Sequence, residues 1–426
     1  MDRRRFIKSM IGGTALSITA MNDLNAAVYE SLRKLDQQYQ VSPDGVYWDA
    51  VRKHYLFEDG LIHMNNGTVG PMPEPVFNTL MTNFEVHLKM PCDAYLYLSS
   101  LRDGVREKVA RFIGAGLDEV AIVRNTTEGM NFFANGLDLK EGDEVLMSNL
   151  EHPGGIHPWR LKEKRYGIKV TEVQLPFPVN SVEDVVDAFK KAVTSRTKVI
   201  SISHTIFITG LIAPMKELSE FAHERDILVL ADSAHGLGML NLDMHELGID
   251  GWCTSPYKWF GAPPEAGVFY VRKEIQDRLW PTTASSGWDT HQSARKFETL
   301  SQRADPLIQA LGEAVEFHNH IGKSRVARRI QTLGSYLREE LAKITGVKLH
   351  IKNDPYLAAG LTAFSINNVD AGYIVNYLRE KYNIVIRTIG SDSAGTRGVR
   401  VSTNIFVSMK DIDTLLEGVK YLAKTA

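Results

Sequence analysis

Residues 250–270, DGWCTSPYKWFGAPPEAGVFY, set one lysine, Lys258, inside an apolar run, and residues 228–236, LVLADSAHG, end a buried-strand pattern on the acid Asp232. A lysine in such surroundings has its ammonium form disfavoured, so it is a candidate Schiff-base amine rather than a surface charge. Trp252, Trp259 and Phe260 make solvation an awkward explanation for it. Around this pair the chain alternates: β-branched runs at Val120–Val123, 144–147, 198–203 and 227–231 are separated by helical patterns such as 104–113 and 215–225. Strands alternating with helices predict crossover connections and a mainly parallel sheet.

Further along, 305–344 reads as a long helical segment. Strands at 347–352 and 361–367, a helix at Ala371–Tyr382, strands at 384–388 and 399–402 and a last helix at 410–424 then predict a small α+β domain after a larger α/β one. The expected division is a leader at 1–27, an N-terminal segment at 28–60, a large domain at 61–304 and a small one at 305–426, with one domain drawing on both chain ends. At 426 residues the chain has length for two or three domains, and no repeat or low-complexity tract interrupts it.

Composition is that of an ordinary globular protein, 44% hydrophobic and 23% charged with a net charge of -2, and no block of like charges follows the N-terminus. That pattern argues against nucleic acid as a partner. Cys92 and Cys253 are free thiols or one bridge, and two cysteines make no disulfide framework. Asp2-Arg3-Arg4-Arg5-Phe6-Ile7-Lys8 precedes an uncharged, mildly apolar stretch, 10–21, that is shorter than the roughly 20 residues needed to span a bilayer. It reads as a signal peptide. A basic amphipathic helix is the alternative, and Gly12-Gly13-Thr14 makes it a poor one. The run resembles the twin-arginine consensus, with Asp2 and Ile7 as departures, which implies passage through that machinery already folded and a periplasmic or otherwise exported destination.

An apolar-flanked amine and a strand-end acid are two of four things that pyridoxal phosphate asks of a protein, the others being a flat group against its ring and donors for its phosphate. Asn125-Thr126-Thr127-Glu128-Gly129 follows a strand and opens an apolar helix, where free N–H groups and threonine hydroxyls make an anion site. An ordinary helix cap is the alternative. His152, in Leu150-Glu151-His152-Pro153, follows the strand at 144–147 and is a candidate for the ring face, or a plain exposed loop histidine. Asp232 needs a cationic partner if buried, and a protonated pyridine nitrogen would be one; a helix cap is again the alternative. His235 could bond the phenolic oxygen, and Ser255 stands three residues before Lys258. No glycine-rich fingerprint follows a predicted strand, which counts against a nucleotide-binding protein.

In this order the residues resemble the class V aminotransferases of the fold type I pyridoxal phosphate enzymes, above all the isopenicillin N epimerase-like and cysteine desulfurase-like branch. The resemblance rests on MNNGTVGPMP from Met64, NTTEGMN from Asn125, LEHPGG and PW around His152 and Trp159, SISH with TG from Ser201, ADSAHG from Ala231, SPYKW from Ser255, FETLSQR from Phe297 and VRVS from Val399. It implies a seven-stranded, mainly parallel sheet with a small C-terminal domain. It also implies Lys258 as the cofactor lysine, Asp232 at the ring nitrogen, His152 stacked on the ring, and Thr127, Glu128, His235 and Ser255 among the cofactor contacts. Arg400 would grip a substrate carboxylate, and Ser301 would reach the phosphate of a partner subunit in a homodimer.

Three departures bear on the reaction. No cysteine lies in 384–400, where desulfurases carry one on a mobile loop, so persulfide transfer is disfavoured. Tyr257 replaces the histidine next to the lysine, and Phe207 stands where desulfurases often place asparagine. The resemblance implies an epimerase or aminotransferase acting on an amino acid or small peptide. A lyase, a tailoring enzyme for a secreted peptide and a binding protein that has lost its chemistry are the alternatives.

Overall fold

The structure, a computed structural model, describes residues 14–38, 44–390 and 397–425. The basic run at 2–8 lies outside the described residues, as does the start of the uncharged stretch.

The large sheet has seven strands, β1 (Val120–Val123), β2 (Glu144–Ser148), β3 (Lys169–Val173), β4 (Thr197–Ser203), β5 (Leu228–Asp232), β6 (Gly251–Thr254) and β7 (Gly267–Val271). Their order is β1-β7-β6-β5-β4-β2-β3, parallel throughout except for β7, which runs against both of its neighbours. This is the α/β architecture expected from the alternating pattern. β1, β2, β5, β6 and β7 are buried along their whole length, because helices cover both faces, whereas edge strand β3 buries only Val170 and Val173. The carboxyl ends of β1, β2, β4, β5 and β6 open on one edge, where such sheets hold ligands.

The 305–344 stretch breaks at Gly322, whose φ of 96° no continuing helix accepts. Asp305–Ile321 adds Ile308, Leu311, Ala314 and Val315 to the core of the large sheet. Lys323–Ala342 turns Ile330, Leu333, Leu337 and Leu341 into a second core, shared with the small sheet and with Leu32, Tyr47, Trp48 and Val51 from the other end of the chain.

The small sheet is antiparallel, β10-β11-β9-β8, with β8 (Val347–Leu349), β9 (Leu361–Ile366), β10 (Arg387–Ile389) and β11 (Gly398–Ser402). The run at 384–388 therefore divides: Ile384–Val385 pairs in parallel with Ile62–His63, and β10 pairs with β11 so that Arg387 faces Arg400. The first pairing carries the loop at 65–70 from the small domain to the large sheet.

The helix Thr14–Gln38 runs on through the expected leader boundary at 27. Asn25 Nδ2 donates to Pro75 O at 3.2 Å and to Thr79 Oγ1 at 3.1 Å, and Leu32 is buried. Among the described residues no helix is long and apolar enough to cross a membrane.

Candidate active site

Four of the strands that end at the open edge, β1, β2, β5 and β6, lead to the candidate groups. β5 ends on Asp232, which is buried and accepts one hydrogen bond, from Ala234 N at 3.1 Å. No cationic side chain forms an ion pair with it among the described residues, so it is a buried acid awaiting a positive partner. Burial pushes its carboxyl upward, opposed by Lys258 and His152.

β6 leads to Ser255 and then to the turn that carries Lys258. Burial brings the Lys258 ammonium down to about 8; Asp232 opposes that shift, while Arg400 and Arg387 add repulsion. The turn is clamped from the other domain, because Gly70 N donates to Tyr257 O at 2.9 Å and a Cβ on Gly70 would stand 2.0 Å from Lys258 O. Only glycine permits that approach.

β1 leads to the helix Thr126–Gly136, capped by the Asn125 side chain, which accepts from Glu128 N. Ser255 Oγ lies 3.2 Å from Thr126 N and 2.8 Å from Thr126 Oγ1, so the lysine turn and this helix start form one unit. Thr127 is exposed toward the cleft beside Gly154, where a Cβ would stand 2.9 Å from its hydroxyl. The Glu128 carboxylate turns elsewhere, onto Arg124 Nε at 2.9 Å and Arg124 N at 2.6 Å. The structure therefore does not bring the Glu128 side chain to the cluster.

β2 leads through Glu151 to His152, exposed at the rim. His152 Nδ1 accepts from Gly154 N at 3.0 Å, and its ring meets Phe207 edge-on at 4.9 Å. Partial withdrawal from water lowers its pKa, with Asp232 opposing and Lys258 assisting. His235 is buried and its Nδ1 accepts from Trp259 Nε1 at 3.0 Å, which leaves Nε2 to carry the proton. Burial, then Lys258 and Arg400, hold that imidazole neutral, well below its ordinary range.

The small domain supplies Arg400, 1% exposed, whose Nη1 donates to Phe207 O at 2.8 Å while Nε has no partner among the described residues. Burial, helped by Arg387, brings it down to about 9. Ser301 lies apart, exposed on a loop fastened to β1: the Glu298 carboxylate accepts from Ile122 N at 2.6 Å and from Arg106, and Arg303 donates to Ile122 O at 2.7 Å.

The chain thus brings Lys258, Asp232, His152, His235 and Arg400 into one electrostatic neighbourhood, with Ser255 bonded to Thr126 and Thr127 beside Gly154 at the adjoining helix start. Their fit to pyridoxal phosphate shows in the buried acid that has no ion pair among the described residues, in the capped helix start bonded to the lysine turn, and in Gly155, where a Cβ would stand 3.1 Å from Asp232 Oδ2. Sequence reading passed over Arg387, Thr68 and Glu151. Glu151 stood next to His152 and Thr68 within a quoted string, but the proximity of Arg387 follows from strand register, which carries no local signal.

The sequence pattern of the family described as aminotransferase class-V matches residues 92–415. Isopenicillin N epimerase of Streptomyces clavuligerus is 27% identical over 393 residues, covering 88% of this chain and 98% of that protein. A probable cysteine desulfurase of Methanothermobacter thermautotrophicus is 28% identical over 347 residues, covering 77% of this chain and 83% of that protein. Among solved structures, a lysine-to-alanine variant of C-DES with glycine covalently linked to its PLP cofactor superposes with a TM-score of 0.78 at 21% identity, covering 87% of this chain and 98% of that one. With its sheet, its edge and its match over most of its length, the chain belongs to the class V aminotransferase family of pyridoxal phosphate-dependent enzymes.

Proposed function

We propose that the protein is an exported enzyme that works at the α-carbon and amino group of an amino acid or small peptide, by epimerisation or transamination. The observation that carries the reading is the Lys258 amine, brought to about 8 and placed in one field with Asp232 and Arg400. When bound, pyridoxal phosphate supplies an electron sink that weakens the bonds at the substrate α-carbon.

The chain's own groups then divide the work. Lys258 would hold the aldehyde, Asp232 the ring nitrogen, His152 the ring face, His235 the phenolic oxygen, and Thr127 with Ser255 the phosphate. Arg400 orients the substrate carboxylate with a planar fork. The Lys258 amine would take the α-proton as general base, a role that its burial favours by disfavouring the ammonium form. The likeness to isopenicillin N epimerase along nearly its whole length supports epimerase or aminotransferase chemistry. Elimination of a β-substituent is the second reading, favoured by the cysteine desulfurase relatives. Persulfide transfer is disfavoured, because 384–400 holds no cysteine.

The leader pattern supports twin-arginine export to the periplasm or beyond. A homodimer with shared sites is supported by the helix Glu74–Lys89, which buries Val76, Leu80 and Val86 yet exposes Phe77, Met81, Phe84 and Leu88 on its opposite face. Ser301, on its fastened loop, is the residue proposed to serve the partner's site.

The purified protein loaded with pyridoxal phosphate should be yellow, and Lys258→Ala should abolish both the colour's characteristic band and turnover. In deuterated water, amino acids or peptides that fit should exchange their α-proton. Colourless protein, or a coloured one giving neither exchange nor product across a broad panel, would end this reading.

A further inference from the structure

Arg387 and Arg400 stand directly opposite each other on the antiparallel strands β10 and β11. Directly opposed residues in such a pair share a face, and like charges there are destabilising. Between them sits Thr68, whose Oγ1 lies 3.4 Å from Arg387 Nη1 and 3.5 Å from Arg400 Nη2. That hydroxyl donates to Asn65 Oδ1 at 2.9 Å, so its lone pairs face the two guanidinium groups. Neither arginine forms an ion pair with a carboxylate among the described residues, and Arg400 is almost wholly buried.

Two cations so placed call for more negative charge than one carboxylate supplies. A cavity of about 820 Å³ opens beside Arg387, with Phe207, Asn368, Asp370 and Thr388 also on its walls. Phe207 joins that cavity to the reaction centre, since it contacts both the His152 ring and Arg400. Asp370 caps the helix Ala371–Tyr382 by accepting from Tyr373 N at 3.1 Å, which occupies one of the two carboxylate oxygens in the cavity wall. Arg387, with Arg397 also on the cavity wall, then faces the space beyond the α-carboxylate site, and of the two it is Arg387 that stands opposite Arg400.

We propose that Arg387 is a specificity-determining residue that binds a second carboxylate of the substrate, so that the enzyme takes an amino acid or small peptide carrying two carboxylates. The inference rests on the reading that Arg400 holds the first. It narrows the substrate class by charge.

Amine-free acids test it without turnover. Calorimetric titration of the yellow holoprotein would compare glutarate, adipate and pimelate with pentanoate, hexanoate and heptanoate. A charge-assisted hydrogen bond to the second carboxylate should make the best diacid bind about tenfold to a hundredfold tighter than the monoacid of equal length. Arg387→Gln should collapse that ratio toward one, and Arg387→Lys, which keeps the charge without the fork, should retain part of it. A wild-type ratio near one, or an Arg387→Gln variant that weakens both kinds of acid equally, overturns the proposal; the second result would mean that both arginines grip a single carboxylate. Failure of the cofactor reading would show itself separately, as colourless protein.

Discussion

Glu151 shows how much one residue beside the site can hold. Its buried carboxylate accepts from Ser203 N at 2.8 Å, from the Ser203 hydroxyl, and from Ser148 Oγ at 2.5 Å, joining β2 to β4 next to the strand that ends on Asp232. Burial raises it to about 7, with the Asp232 charge adding to the shift and the serine hydrogen bonds opposing it. The folded pKa lies above the unfolded one, so the folded state binds the proton more tightly. The resulting stabilisation is complete below the unfolded carboxylate value of about 4.3 and is lost as pH rises through about 7. Glu151→Gln should keep the bonds and flatten this dependence, so thermal melts of the variant should change less than wild type between about pH 5 and 8. Glu151→Ala, which strands Ser203 N, should cost about 1–3 kcal/mol in urea unfolding. An unchanged pH profile in the glutamine variant would remove Glu151 from this account. From sequence alone, its position before His152 was visible; its bond to Ser203 was not, because that bond spans two parallel strands.

The lysine turn is held by elements far from it in the chain. Loop 65–70 arrives with the small domain, anchored by the Ile62–His63 pairing, and Gly70 then packs on the backbone of Lys258. A methyl group there meets a carbonyl oxygen rather than a flexible side chain, so the turn must shift. Gly70→Ala should cost about 1–3 kcal/mol and lower the midpoint of thermal unfolding. It should also reduce the fraction of protein recovered yellow, whereas alanine at Gly104, where a Cβ meets nothing within 4 Å, should do neither. Equal cofactor recovery in the two variants would show that the clamp is not needed. Several helices and strands of the large domain were legible element by element, because their apolar runs are continuous or helically spaced. The splitting of 384–388 between two sheets was not, since pairing partners, rather than propensity, decide where such a strand ends.

At the scale of the molecule, the helix Glu74–Lys89 is amphipathic toward two sides, with core residues inward and Phe77, Met81, Phe84 and Leu88 outward at helical spacing. Exposed apolar surface of that continuity marks an association site. Wild-type protein should therefore run as a dimer in light scattering after gel filtration. Phe84→Asp combined with Leu88→Asp should yield a folded monomer, with a change in monomer stability of only about 0.5 kcal/mol. Turnover should fall along with the dimer if the partner's Ser301 loop serves the site. A monomeric wild type, or a variant that still dimerises, would contradict the shared-site arrangement.

The residues around Lys258 and Asp232 suggested the cofactor chemistry, because a lysine in an apolar run and an acid closing a buried strand are improbable unless something pairs with them, and the ordered strings from Met64 to Val399 carried the family resemblance. The alternation of short strands and helices likewise determined the parallel architecture, since a crossover is the only short way to bring parallel strands together. Tertiary structure alone decided which distant groups face that pair: Arg387 opposite Arg400, Gly70 against the lysine turn, Trp259 on His235, Glu151 across to Ser203. These are matters of register and domain docking, set by contacts between segments from 13 to 188 residues apart, and local spacing holds no record of them.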